Sequence, residues 1–159
     1  MCIRDSLSTL RANSFNRNSA NGLWIQTNGA VAFSKVTANQ NYGAGAYIYT
    51  GSTVTITTGN FNANYYEGLK IISNGLVTLT GVNANMNGSS PNRNGIDINS
   101  GGHDVTITNG VVIGNGKSGI YAVILSGQKL ILTNVLCAGN DTSGGAAPDV
   151  YTDGALIWI

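Results

Sequence analysis

Trp24, Tyr47, Lys70, Asp97 and Tyr121 stand 23, 23, 27 and 24 residues apart, and two positions beyond each lie Gln26, Tyr49, Ile72, Asn99 and Val123. Aromatic rings in a row, interleaved with a cation, a carboxylate and amides, could bind sugar. The rings would stack on the apolar faces of pyranoses and the polar groups would hydrogen-bond their hydroxyls. The competing account is that aromatic residues simply suit strands and that Lys70 and Asp97 form an exposed pair of little energetic value. Trp24, Tyr47, Tyr49, Lys70, Asp97 and Tyr121 are therefore the candidate ligand-binding residues.

Cleavage of a polysaccharide makes stricter demands. Hydrolysis needs two carboxylates a few ångströms apart, one of them protonated. Elimination needs a base and a calcium or arginine clamp. The acids Asp5, Glu67, Asp97, Asp104, Asp141, Asp149 and Asp153 fall at different phases of the repeat described below. His103 is the one histidine, and beside Asp104 in a turn it reads as part of a solvated loop. Two cysteines, Cys2 and Cys137, make neither a disulfide framework nor a zinc ligand set. No catalytic residue, metal or cofactor is expected within this chain.

The candidate residues need a scaffold that repeats at their own interval, and Asn64 to Asn85, NYYEGLKIISNGLVTLTGVNAN, is one unit of it. Leu69 and Ile71 flank Lys70 at the period of two expected of a half-buried strand. Ser73-Asn74-Gly75 supplies a turn, and Val77-Thr78-Leu79-Thr80 alternates again. The glycine before the first strand recurs as Gly22, Gly45, Gly68, Gly95 and Gly119, with Asn140 and Gly144 opening a sixth unit. A fixed period of this size, with short strands and no helical stripe, predicts a solenoid of parallel β-coils. Leu23/Ala46/Leu69/Ile96/Ile120 and Ile25/Ile48/Ile71/Ile98/Ala122 would face inward on one sheet. Val31/Val54/Val77/Val105/Leu130 and Phe33/Ile56/Leu79/Ile107/Leu132 would do so on the second, and Phe15/Ala38/Phe61/Val82/Val112/Cys137 would close the core.

Two further rows follow from the period. Asn18, Asn41, Asn64, Asn85, Asn115 and Asn140 would form a structural ladder of stacked amides at a corner where asparagine tolerates left-handed backbone. The 27-residue interval is assigned to a polar insertion between Met86 and Gly95, with Asn85 as the corner residue before it. On the outer face of the second sheet, Thr55/Thr57, Thr78/Thr80 and Thr106/Thr108 repeat a Thr-x-Thr pattern that resembles the ice-binding faces of some β-helical antifreeze proteins. Ala32 and Ile131 interrupt it.

The units, above all NGIDINSGGHDVTITNGVVIGNGKSGI, resemble the right-handed parallel β-helix repeat shared by pectate lyases, polygalacturonase-like glycosidases and many bacterial surface proteins. The resemblance covers about Phe15 to Asn140 and implies the handedness. It carries fold more than function. Polygalacturonase-like enzymes have Asn-Thr-Asp before Gly-Ile-Asp, then Gly-Asp-Asp and Gly-His-Gly in later coils. This chain has Asn92-Arg93-Asn94 before Gly95-Ile96-Asp97, then Gly116-Lys117-Ser118, and no histidine from Asn140 to Gly144. Asp97 alone matches that carboxylate set.

Charged residues make up 9% and net charge is +1, so there is no electrostatic footprint for nucleic acid. No run has membrane-spanning length, and no membrane insertion is expected. Residues 1–14 lack the features of a signal peptide and are expected to be a non-native or disordered leader. Residues 15–159 are expected to form the β-helix segment, truncated at its C-terminus after the apolar run Ala155 to Ile159. The fold class expected is all-β, a single-stranded right-handed parallel β-helix of about five to six coils of 23–27 residues. The functional expectation is a structural or adhesive segment of a larger secreted or cell-surface bacterial protein. Its partners would be polysaccharide or cell-surface glycan and neighbouring coils of the intact protein. The alternatives are a truncated polysaccharide lyase or glycoside hydrolase and an ice-binding protein.

Overall fold

The computed structural model describes residues 2–4, 10–11, 13–89, 92–142 and 144–159. Among them there are strands and turns but no helix. A seven-stranded parallel sheet runs in chain order through Cys2–Arg4, Leu23–Thr27, Ala46–Thr50, Leu69–Ser73, Ile96–Asn99, Ile120–Val123 and Val150–Thr152. A nine-stranded sheet is built from the intervening strands, its long members being Val31–Thr37, Val54–Asn60 and Val77–Asn83. In later coils the long strand is split in two, as Val105–Thr108 with Val111–Ile113 and Lys129–Thr133 with Leu136–Ala138. Each strand pairs with its counterpart one coil away, so the chain winds as a β-solenoid.

Register makes the core. Leu23, Ala46, Leu69, Ile96 and Ile120 are aligned and completely buried, as are Ile25, Ile48, Ile71, Ile98 and Ala122. The expected rows of the second sheet are aligned too, with Phe33 the most exposed at 2%. Burying a Leu, Ile or Val side chain contributes about 1.5–3 kcal/mol, so these rows dominate stability.

The third row differs from expectation at one coil. Phe61 donates its backbone N–H to the Asn83 carbonyl, and Ala84 donates to Val111, so Phe15, Ala38, Phe61, Ala84, Val112 and Cys137 follow one another. Val82 belongs instead to a row with Val36 and Gly59, one alternation earlier. The cause is the position of the insertion, which follows Asn87 rather than Asn85. The chain thus completes two more residues of normal coil before it departs.

Both corners bordering this third face use left-handed backbone. Lys35, Thr58, Gly81, Asn109 and Asn134 turn the first, with φ between 49° and 61°. Arg17, Gln40, Ala63, Met86, Gly114 and Gly139 turn the second, with φ between 54° and 67°. The ladder asparagines come one residue after this second row, so the residue before each of them makes the turn and the asparagine is left free to face inward.

Two further expectations meet a different structure. Paired strands begin at Cys2–Arg4, in register with Trp24, Ile25 and Gln26, and continue at Leu10–Arg11, in register with Phe33 and Ser34. Parts of the 1–14 stretch that was expected to be a leader are therefore paired with the coil that follows. In the sixth coil the residue before the first strand is Asp149, whose carbonyl accepts from Ile120, and not Gly144.

Candidate functional site

Hydrogen bonding fixes the site's framework from behind. At each step of the ladder an asparagine gives both its backbone N–H and its Nδ2 to Oδ1 of the next coil's asparagine. The members are Asn18, Asn41, Asn64, Asn87, Asn115 and Asn140, with distances of 2.8–3.1 Å. Asn87 holds the place expected for Asn85. The second Nδ2 hydrogen reaches a carbonyl, as from Asn64 to Ala38 at 3.0 Å and from Asn115 to Ala84 at 2.9 Å. Asn140 closes the row on Oδ1 of Asp149, at 3.0 Å from N and 2.7 Å from Nδ2. Asn85 serves a second row with Asn16, Asn39 and Asn62, in which Oδ1 accepts the backbone N–H of the following coil at 2.7–2.9 Å. The two rows therefore run with opposite hydrogen-bond sense on either side of the left-handed corner.

The ladder also accounts for the glycines before the first strand. A Cβ at Gly22, Gly45, Gly68, Gly95 or Gly119 would lie 2.5–2.8 Å from Nδ2 of the next coil's ladder asparagine. No side chain fits there while that amide is present. Asp149 occupies the equivalent position in the sixth coil, and it turns its own carboxylate to Asn140.

With the strands so fixed, Trp24, Tyr47, Lys70, Asp97 and Tyr121 stand in one register column on the outside of the first sheet, and Tyr151 extends it. Gln26, Tyr49, Ile72, Asn99 and Val123 form the column beside it. Tyr121 and Tyr151 stack with centroids 4.6 Å apart and planes 9° from parallel. The Tyr121 hydroxyl is held above its ordinary range, first by desolvation and then by the neighbouring Tyr151, Asp97 and Asp153. Lys117 Nζ lies 5.8 Å from the Tyr121 ring centre. Lys70 approaches Glu67 at 4.0 Å, and Asp97 Oδ2 accepts from Asn94 Nδ2 at 2.9 Å. The expected Lys70–Asp97 pair is thus replaced by two separate contacts within their own coils.

Asp5 lies outside the described residues; the other acidic side chains are held by partners of their own. Asp104 Oδ1 accepts from the Lys129 backbone, Asp153 from Ile124, and Asp141 from Gly145 and Ala147. His103 is exposed, and its carbonyl accepts from the Ser100 hydroxyl. No group of three or more His, Cys, Asp or Glu converges among the described residues. Cys137 is buried, and desolvation followed by the nearby Asp149 pushes its thiol up to about 12, so it is a packing residue with little thiolate. The Thr-x-Thr rows align on the second sheet between Ala32 and Ile131.

Sequence reasoning missed a second aromatic group. Tyr42 and Tyr65 follow ladder residues Asn41 and Asn64, and their rings stack 4.8 Å apart, 5° from parallel. Tyr66 leans on Tyr65 at 58°, and Arg93 caps Tyr66 at 4.9 Å while meeting the nearly buried Glu67 at 3.4 Å. The signal was present in the 23-residue separation of Tyr42 and Tyr65, one coil apart immediately after the corner.

A family model described as right handed beta helix region matches residues 1–155. Comparisons with curated proteins and with solved structures found no match.

Proposed function

The chain belongs to the right-handed β-helix family, and from that premise we propose that it is a stiff adhesive segment of a larger secreted or surface-displayed bacterial protein, which binds a polysaccharide or cell-surface glycan along its first sheet. One observation carries this reading. Trp24, Tyr47, Tyr121 and Tyr151 share a single outward column with Lys70 and Asp97, on a sheet whose strands repeat at ~4.8 Å. Five such steps span about 24 Å, enough for several consecutive sugar units to meet rings and polar groups in turn. Trp24, Tyr47 and Tyr121 stand on strands whose apolar inward residues are completely buried, so these rings are already in position and binding orders little.

The test is retention of the chain on immobilised plant, algal and microbial polysaccharides, with reducing-end and unsaturated-product assays on the same samples. Binding without products, weakened about tenfold by Trp24→Ala or Tyr47→Ala, is the expected result. Binding that both variants leave unchanged would remove the site from this sheet. Products abolished by Asp97→Asn would replace adhesion with cleavage.

A further inference from the structure

On a different face from the first-sheet column lies a concavity of about 440 Å³, at the second left-handed corner of the early coils. Its wall is the stacked pair Tyr42 and Tyr65, and Tyr42 is 61% exposed. Tyr42 N donates to the Asn18 carbonyl and Tyr65 N to the Asn41 carbonyl, both at 2.9 Å, so Ser19 takes the same row position one coil earlier. Two successive coils carry a ring there and the third carries a hydroxymethyl group. A flat space is thus left beside the Tyr42 ring where a further member of the stack would lie.

The polar groups around that space have a defined character. Arg17 Nε donates to Gln40 Oε1 at 2.9 Å, which fixes the guanidinium across the two coils and leaves its Nη pair to offer to a ligand. Among the described residues that line the concavity, Arg17 alone carries a charge. The lining therefore has a cation with no competing carboxylate, an aromatic platform, and the Ser19 hydroxyl. The floor is rigid, because Asn18 and Asn41 are both members of the amide ladder.

We propose that this corner is a second carbohydrate site, in which a sugar ring bearing an anionic substituent stacks on Tyr42 and places its carboxylate or sulfate on Arg17. A pyranose has one face of axial C–H groups suited to an aromatic ring. A guanidinium offers two parallel N–H donors to a planar carboxylate and a similar fork to a sulfate. The volume is within the ordinary range of roughly 300–1,000 Å³ for small-ligand pockets. The site goes beyond the first-sheet reading, shares no residue with it, and can stand or fall separately.

The experiment is calorimetric titration of the whole chain with three oligosaccharides of equal length, namely a hexuronate oligomer, a sulfated oligomer and a neutral glucan. The expected result is tighter binding of one or both acidic oligomers than of the glucan, and the comparison of those two identifies the anionic group. Tyr42→Ala lowers that affinity about tenfold, Tyr42→Phe retains it, and Arg17→Gln removes the preference for the acidic oligomer. Thermal melting of each variant shows that the fold is intact. Equal affinity for acidic and neutral oligomers, no affinity for any of them, or binding that Tyr42→Ala leaves unchanged would each overturn the proposal. The same titrations are run in a Trp24→Ala/Tyr47→Ala background, where the first-sheet column is disabled and only the corner is read, so failure of one site is distinguishable from failure of the other.

Discussion

At the residue scale, the ladder amides of Asn64 and Asn115 combine complete burial with complete use of their hydrogen-bonding capacity. Asn64 is 0% exposed. Its Oδ1 accepts twice from Asn41, and its Nδ2 donates to Asn87 and to the Ala38 carbonyl. Removing such a group strands its partners in a dry interior, where each unsatisfied polar group costs about 1–3 kcal/mol. Asn64→Ala is accordingly expected to destabilise the chain by about 2–4 kcal/mol in denaturant unfolding, with no loss of sugar binding at the outward column. An unchanged midpoint would show that the ladder does not contribute to stability. Asn64→Asp keeps an acceptor for Asn41 but replaces both donors with a buried carboxylate, and it should be the worse of the two substitutions.

At the element scale, neighbouring coils solve one packing problem in two ways. Val36 with Ala38, and Val82 with Ala84, place a medium residue and a small one at the corner; the coil between them places Gly59 with Phe61. The Phe61 ring fills the volume that a side chain at 59 would occupy, since a Cβ there would lie 2.5 Å from Cε2. Gly59→Val should therefore overpack the core by about 1–3 kcal/mol, and Phe61→Ala should leave a cavity that costs about 3–5 kcal/mol. Made together they recreate the pattern of the adjacent coils, and the double variant should be more stable than the sum of the singles predicts by about 1–3 kcal/mol. Strict additivity in a double-mutant cycle would show that the two positions do not share that space. The coupling was hard to read from sequence, because a glycine on an inward position looks like a turn residue until the register places it beneath a ring. The inward rows were easier to read, since burial on one face of a strand leaves a period of two in the chain. The 27-residue interval was ambiguous, because Asn85 and Asn87 are chemically identical and lie two apart, which preserves the alternation whichever is chosen. Tyr42 and Tyr65 lie just past a left-handed residue, where the direction of a side chain no longer follows from strand alternation.

At the scale of the whole molecule, each coil touches only the coils before and after it, so stability is a sum of local terms and interfaces. Coils with neighbours on both sides open only when two interfaces are lost. Amide hydrogen exchange should be slowest in Leu69–Ser73 and Val77–Asn83 and fastest in Val150–Thr152 and Ala155–Trp158, where Leu156 and Trp158 remain about half exposed. Uniform protection along the chain would mean that the solenoid opens as one unit. The two proposed sugar sites would inherit this gradient, since Trp24 and Tyr42 belong to early coils while Tyr121 and Tyr151 lie near the later end.

The closure of the ladder on Asp149 gives the row a grammar. Asn41, Asn64, Asn87 and Asn115 each receive from the coil before and pass on to the coil after, as a transitive verb takes both subject and object. A carboxylate can receive but has no proton to pass on, so Asp149 acts as a full stop. Anyone lengthening the rod by inserting a coil between Asn140 and Asp149 would need an asparagine in that coil to take the amide bonds of Asn140 and hand its own to Asp149, and a glycine before its first strand.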